Sequence, residues 1–333
     1  MRRILAIFSI IAVICGCHGN DADWLQELPE SSEDIIQDIK WLDIPSDIIG
    51  IPSRMTVIGS KLILSDPKDG YALTCYDQSD GSVSKFLQIG RSDTEVVDVH
   101  QIFPHKGYLC VADIMTDKCL ILDMNSYNVV GKYDLKEFSS VAFMDESIVG
   151  MLSNGDGRYG RKSLKSEAEI DSFGDYSEYG LSISSGSGLM QGDLLTDGRS
   201  RMAWFGYYTA VYQIVDMDKK SVLSSEILDM SSFNEHGHMY TTMRPESKVA
   251  FISVAGDRDR IFTLYDGKEL SYYIRNAGSK PHGNVICQFD WNGTPISKYM
   301  SSQSITCLCA GDGKLYICAM AETGEYRVGY VEL

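Results

Sequence analysis

Short runs rich in Val, Ile, Leu, Tyr and Phe recur in groups along most of this chain, separated by Asp, Gly, Asn and Ser clusters. The groups return at a period of roughly 40 residues, the signature of a repeat architecture such as a propeller. Each group reads as strand, turn, strand, turn, strand, turn, strand. One unit covers residues 54–90 and the next 99–135, and in both the third strand ends in an aspartate, Asp77 and Asp123. A third, at about 138–176, is interrupted by Asn154-Gly155-Asp156-Gly157. The fourth runs over about 188–229; the fifth begins near Lys248 and resumes at Val285 after a polar excursion over 267–284. The last stretch, from Ser304, supplies only three strands. The segment Ile35 to Ile44 is expected to add the fourth beside the C-terminal strand, which would close a ring and cover its edges. The expectation is an all-β, six-bladed β-propeller of four-stranded antiparallel blades over residues 34–333. Seven blades are the alternative, should residues 260–300 hold more strands. No long stretch has the 3.6-residue period of an amphipathic helix.

The N-terminus carries a different signal. Met1-Arg2-Arg3 precedes an apolar run, Ile4 to Ile14, too short to span a bilayer, and the segment ends Ile14-Cys15-Gly16-Cys17. A basic start, a short apolar stretch and a small residue before the cut mark a secretory signal. The apolar-small-Gly-Cys ending resembles the lipobox of bacterial lipoproteins, which implies cleavage before Cys17 and lipid on that residue. The expected division is a signal over 1–16, a lipidated Cys and tether over 17–33, and the propeller beyond. Residues 21–40 have room for a helical turn or two, but Pro29 and its acidic neighbours favour a tether. The address is then the cell envelope, lipid-anchored, at the outer membrane, on either of its faces.

Charge narrows the partners. The chain holds 30 Lys and Arg against 46 Asp and Glu; losing residues 1–16 removes Arg2 and Arg3 and no acid, which takes the net charge from −16 to −18. Nucleic acids and anionic headgroups both require a cationic surface, so neither is an expected partner, and attachment to the membrane rests on lipid alone. Seven cysteines follow Cys17, an odd number without disulfide-framework or zinc spacing. Cys307 and Cys309 share one strand face, and with Cys318 could bind metal, but buried thiols are the simpler expectation.

The segments KLILSD (61–66), KFLQIG (85–90), FGDY (173–176), RIFTLYDGKEL (260–270), VICQFDWNGTPISKY (285–299) and the ending KLYICAM…YRVGYVEL carry a resemblance to the six-bladed, TolB-like propeller lipoproteins of anaerobic Gram-negative gut bacteria. It covers nearly all of residues 35–333 and implies fold and address, with no catalytic motif to transfer. After the first blade, Gly90-Arg91-Ser92-Asp93 stands where the family often has a longer Gly/Pro-rich loop.

No catalytic constellation emerges. His236-Gly237-His238, with His282 later, is half of a metal site at best, since no carboxylate falls at ligand spacing. Asn154 to Arg158 and Asp193…Asp197-Gly198 look like calcium loops but lack the closing acid, and tight-turn chemistry explains them. Gly186-Ser187-Gly188 lacks the strand-turn-helix setting of a nucleophile elbow and reads as an inter-blade linker. No metal site and no cofactor are expected, although a divalent cation in a central channel stays open. Tyrosines and arginines cluster instead in the third to fifth units, and Tyr with Arg favours recognition surfaces. Arg158, Tyr207, Tyr208, Arg258 and Tyr272 are the candidate ligand-binding residues; the competing expectation is that such tyrosines pack between blades. The functional expectation is a non-catalytic binding or scaffolding protein for a glycan, peptide or protein partner. The alternative is a metal-assisted hydrolase or lactonase with a cation in the channel.

Overall fold

The structure, a computed structural model, describes residues 24–29, 39–45, 47–153, 156–165, 169–276, 281–321 and 323–333. The signal, Cys17, and Asn154 and Gly155 lie outside the described residues, and no described helix is long and apolar enough to cross a membrane. The molecule is built from antiparallel strands arranged as a propeller. β1 is Lys40–Trp41; β2 to β5 are Arg54–Ile58, Lys61–Lys68, Tyr71–Asp77 and Val83–Gln88; β6 to β9 are Gln101–His105, Tyr108–Asp113, Lys118–Asp123 and Val129–Asp134. β10 to β13 are Phe138–Met144, Ser147–Leu152, Tyr159–Ser163 and Asp171–Phe173; β14 to β17 are Gly192–Thr196, Arg201–Gly206, Val211–Asp216 and Ser221–Ile227. The last six are β18 Phe251–Gly256, β19 Arg260–Tyr265, β20 Gly283–Asp290, β21 Pro295–Gly311, β22 Lys314–Met320 and β23 Tyr326–Glu332. Among the described residues three short α-helices accompany them: α1 Trp24–Glu27, α2 Ile183–Leu189 and α3 Leu270–Arg275.

Strands β2–β5, β6–β9, β10–β13 and β14–β17 form four separate four-stranded sheets in sequence order, each a blade. The remainder departs from the expected pattern of separate blades. Strands β18 to β23 and β1 form one seven-stranded sheet, because the 17-residue β21 is continuous. Its first part pairs with β20, as in Met300 with Val285, and its second part with β22, as in Cys307 with Cys318. As expected, the N-terminal strand completes the last sheet: Lys40 pairs with Tyr330, Trp41 with Gly329, and the Leu42 N–H donates to the Val328 carbonyl at 2.9 Å.

Local chemistry explains the turns. Asp69-Gly70, Lys106-Gly107 and Asp312-Gly313 have positive φ at both positions, the two-residue turn whose twist matches flanking strands. The aspartate ending the third strand recurs in four sheets. Asp77 accepts from the Ser79 N–H, Asp123 from Asn125 and Ser126, Asp216 from Asp218 and Lys219, and Asp290 from Asn292 and Thr294. Side-chain acceptance of this kind closes the turn into the fourth strand.

The core lies between sheets. Strands buried on both faces give runs such as Leu62-Ile63-Leu64 and Leu109-Cys110-Val111, all at 0 % exposure. One apolar cluster joins the first and second sheets and others follow between second and third, third and fourth, and fourth and β18–β20. A further cluster packs β18–β20 against the second part of β21 with β22 and β23, and another joins that last group back to β2 and β3. The first strands β2, β6, β10, β14, β18 and the later half of β21 touch in turn and close a ring.

Two expectations are corrected. Trp24–Pro29 is not a loose tether: Leu28 is 6 % exposed, the Trp24 ring lies edge-on to Tyr265 at 5.3 Å, and the Pro29 carbonyl accepts from the Lys298 N–H at 3.1 Å. The second concerns Gly186-Ser187-Gly188, which does connect two blades, between β13 and β14, but as part of helix α2 rather than as a flexible linker; α2 is capped by the Ser182 side chain, and Gly186 presses on the Tyr176 ring.

Candidate functional site: the central channel and its two mouths

The ring of first strands encloses a channel of about 390 Å3, lined by residues of β2, β6, β10, β14, β18 and β21. Its wall mixes apolar side chains with Thr56, Gln101, Asp193, Thr196 and Ser253. Several of these are committed to the wall itself. Gln101 accepts from the Val141 N–H at 2.8 Å, and Ser253 accepts from the Leu308 N–H at 3.0 Å, pinning neighbouring strands together.

At the end where the first strands begin, Arg54 on β2 reaches Asp193 on β14, Nη2 to Oδ1 at 2.9 Å. In the ring these strands stand opposite, with two others between them on either side. The pair therefore bridges the channel. Arg54 also donates from Nε to the His100 carbonyl at 3.1 Å and from Nη1 to the Ser53 carbonyl at 2.9 Å, so each of its three guanidinium nitrogens has an acceptor. Burial, and then the Arg54 charge, push His100 below the usual histidine range. Burial also raises the Tyr207 phenol.

Antiparallel strands send alternate turns to opposite ends. The β15–β16 and β19–β20 connections emerge at the bridged end, and the β14–β15 and β18–β19 turns at the other. The structure thus gathers Tyr207, Tyr208 and Tyr272 on one face: Tyr207 and Tyr208 pack edge to face at 4.7 Å, Tyr272 and Tyr273 at 5.1 Å. Tyr207, Tyr208 and Tyr273 join one apolar cluster, and Tyr272 remains 38 % exposed. Beneath them Asp266 accepts from Tyr273 Oη and from Lys268 Nζ.

Arg258 is not with them. It is exposed on the β18–β19 turn at the opposite mouth, beside Asp257 and Asp197. Those two acids serve their own turns, Asp197 accepting from three successive backbone N–H groups and Asp257 from two, with Arg260 paired to Asp257 at 2.9 Å.

Arg158 is not on a surface. Its side chain is 1 % exposed, sits 4.7 to 5.3 Å from the rings of Tyr159, Tyr176, Tyr179 and Trp204, and pairs with Glu178 at 3.0 Å. Glu178 and Tyr179 also take the Gln213 amide. Arg158, Tyr176 and Tyr179 therefore cement the wedge between the third and fourth sheets, the competing expectation for these tyrosines.

The histidine pair stays apart from any ligand set. His236 is exposed next to Glu235, His238 lies against Gly180, and among the described residues no three His, Cys, Asp or Glu are placed to hold a metal. Sequence reasoning missed Arg54, whose partner is 139 positions away, a pairing no local pattern reveals.

Comparison with solved structures agrees with the propeller fold. A Bacteroides fragilis NCTC 9343 protein, described as a candidate exported protein, superposes with a TM-score of 0.56 at 9% identity, covering 92% of this chain and 98% of that one. The WD40 repeats of RRP9 superpose at 0.52 and 12% identity, covering 92% and 99%. The chain is a β-propeller. At these identities the likeness concerns fold alone. No protein-family model and no curated protein matches the chain.

Proposed function

We propose that this propeller is an exported, lipid-anchored binding or scaffolding module, held to the outer membrane through Cys17, without catalytic activity of its own. Its blade count is six on this reading, with β21 serving as the last strand of the fifth blade and the first of the sixth. The closed ring of six inner strands and the six inter-sheet clusters support that count.

The observation that carries the functional reading is the tyrosine-bearing face beside a bridged channel. Tyr207, Tyr208 and Tyr272 offer rigid amphipathic rings, the kind of surface that stacks on a sugar or a peptide. Of the three carboxylates that line the channel, Asp193 is paired with Arg54, and Asp197 and Asp257 accept from the backbone of their own turns, an arrangement that favours binding over cation chemistry. The metal-assisted hydrolase reading would need that pair to open.

A thermal-shift screen of the full chain in detergent against glycans, peptides and divalent metals tests both. A ligand at about 100 times its dissociation constant adds about 2.7 kcal/mol. The expected hit is a glycan or peptide whose shift shrinks in a Tyr207→Ala/Tyr208→Ala/Tyr272→Ala variant. A shift with calcium alone would favour the hydrolase. Replacing Cys17 by Ser should abolish incorporation of radiolabelled palmitate in cells; continued labelling would refute the anchor.

A further inference from the structure

Cys17 stands seven residues before Trp24. At about 3.3–3.6 Å per extended residue, that length of chain holds Cys17 within about 25 Å of Trp24. Trp24 itself is fixed to the body. Its ring lies 6.1 Å from Phe251, which opens β18, and 5.3 Å edge-on from Tyr265, which closes β19. Both residues belong to the bridged end, and the Ala250 N–H beside Phe251 donates to the Tyr207 carbonyl at 2.7 Å. The chain therefore enters the propeller at the face that carries the tyrosines. The opposite mouth is farther off by the length of β19, six residues or about 20 Å, which would use nearly the whole reach of the tether.

The surface around this entry point is apolar. On α3, Leu270 and Tyr273 pack inward, while Tyr272 and Ile274 turn outward at 38 % and 64 % exposure. The helix is bound to the β17–β18 connection: the Leu270 N–H donates to the Ser247 carbonyl at 2.7 Å and the Ser271 N–H to that of Pro245 at 2.8 Å. Lys248, bridged to Glu269, pairs with Asp229 at 2.7 Å and so brings the exposed Met230 beside the helix. Met300, 49 % exposed, stands opposite Val285, which stands opposite Tyr265. Two strand spacings, about 10 Å, separate its backbone from the residue that Trp24 touches. Nearby charges are satisfied locally, Arg244 by Glu246 at 3.5 Å and Arg275 by the Ser271 hydroxyl at 2.8 Å. Ile89 and Met115 add exposed apolar surface at the same end of the first two sheets.

We propose that the propeller lies with its bridged end on the bilayer, Ile274, Met300, Met230 and Tyr272 seated among zwitterionic headgroups. Burial of apolar side chains drives this contact rather than charge, as a chain of net charge −16 requires. Tyr272 suits such a boundary, its ring on the apolar side and its hydroxyl in water. The inference rests on the anchoring of Cys17 and adds the face that meets the membrane. A glycan or peptide that stacks on Tyr207 and Tyr208 then does so at the bilayer surface.

The test uses the lipidated full chain, reconstituted in vesicles of phosphatidylethanolamine and phosphatidylcholine. Ile274→Cys and Val130→Cys are each labelled with bimane under native conditions; the seven described cysteines are buried, and the unsubstituted chain is the blank. Val130 is exposed at the start of β9, at the opposite end of the disc. A nitroxide carried on the lipid acyl chain is expected to quench the label at 274 at least three-fold more than the label at 130. Met300→Cys is a second reporter, expected to behave as 274 does, and decides the matter should Ile274→Cys not fold. Equal quenching at the two ends, or stronger quenching at 130, in chains that float with the vesicles would overturn the orientation and leave the anchor standing. A chain that does not float with them would refute the anchor at Cys17, and this inference with it.

Discussion

Removing the Arg54 guanidinium would leave Asp193, only 11 % exposed, as an uncompensated carboxylate across the channel from an apolar gap. Charged hydrogen bonds of this kind contribute about 1.5–3 kcal/mol, and partial exposure places this one toward the lower end. Arg54→Met is expected to destabilise by about 2 kcal/mol, read as a denaturant midpoint at constant slope. Adding Asp193→Leu should restore part of the loss, because the orphaned charge disappears with its partner. An additive double variant would contradict the pairing. His100 gives a second residue-scale prediction. Its folded pKa lies below the unfolded value of about 6.5, so the unfolded chain takes up a proton that the folded one refuses. Stability is unaffected above that pH and falls as pH drops from about 6.5 toward the folded value. His100→Asn should flatten this part of the pH profile; a slope unchanged between pH 7 and 5 would show that His100 is not its source.

Helix α2 depends on a single missing side chain. A Cβ at Gly186 would come within 2.2 Å of the fully buried Tyr176 ring, whose centroid also lies 4.7 Å from the Arg158 guanidinium. Overpacking of this sort costs about 1–3 kcal/mol. Gly186→Ala should therefore destabilise despite alanine's better helix propensity, whereas Gly188→Ala, with open space around it, should stabilise slightly. Equal effects at the two positions would refute the contact. The repeated aspartates at the ends of third strands illustrate what an element reveals of itself. Asp77 and Asp123 were legible as turn signals because their acceptors and donors are two or three residues apart. Trp24 to Leu28 was not, because its partners Phe251 and Tyr265 come from the far end of the chain.

Across the whole molecule, closure links the two ends of the chain. Truncation through Trp41 would expose the β23 edge and remove the Lys40–Tyr330 and Trp41–Gly329 pairs. Such a variant is expected to melt earlier and to self-associate through the bare edge; light scattering no different from the parent would argue against this role. The seven described cysteines test the ring as a unit. All are buried, and burial raises the thiols of Cys287 and Cys309. Alkylation at mild pH should leave all seven unreacted until global unfolding, and early modification of one would locate a sheet that opens alone.

Local information determined a great deal here: alternating apolar runs, their period and the Asp-Gly turns specify four-stranded antiparallel units, because each depends on neighbours within a few residues. The pairing of residues 40 and 41 with the C-terminal strand was also legible, from the count of strands left over. The tertiary structure alone decided that β21 runs unbroken through two groups of strands, and that Arg158 is interior. It also decided that Arg258 points to the opposite mouth from Tyr207 and that Arg54 meets Asp193. The physical reason is common to all four. Which end of a strand reaches which face, and what lies across a channel, depends on how whole sheets stack around an axis, and a run of sequence carries no coordinate for that axis.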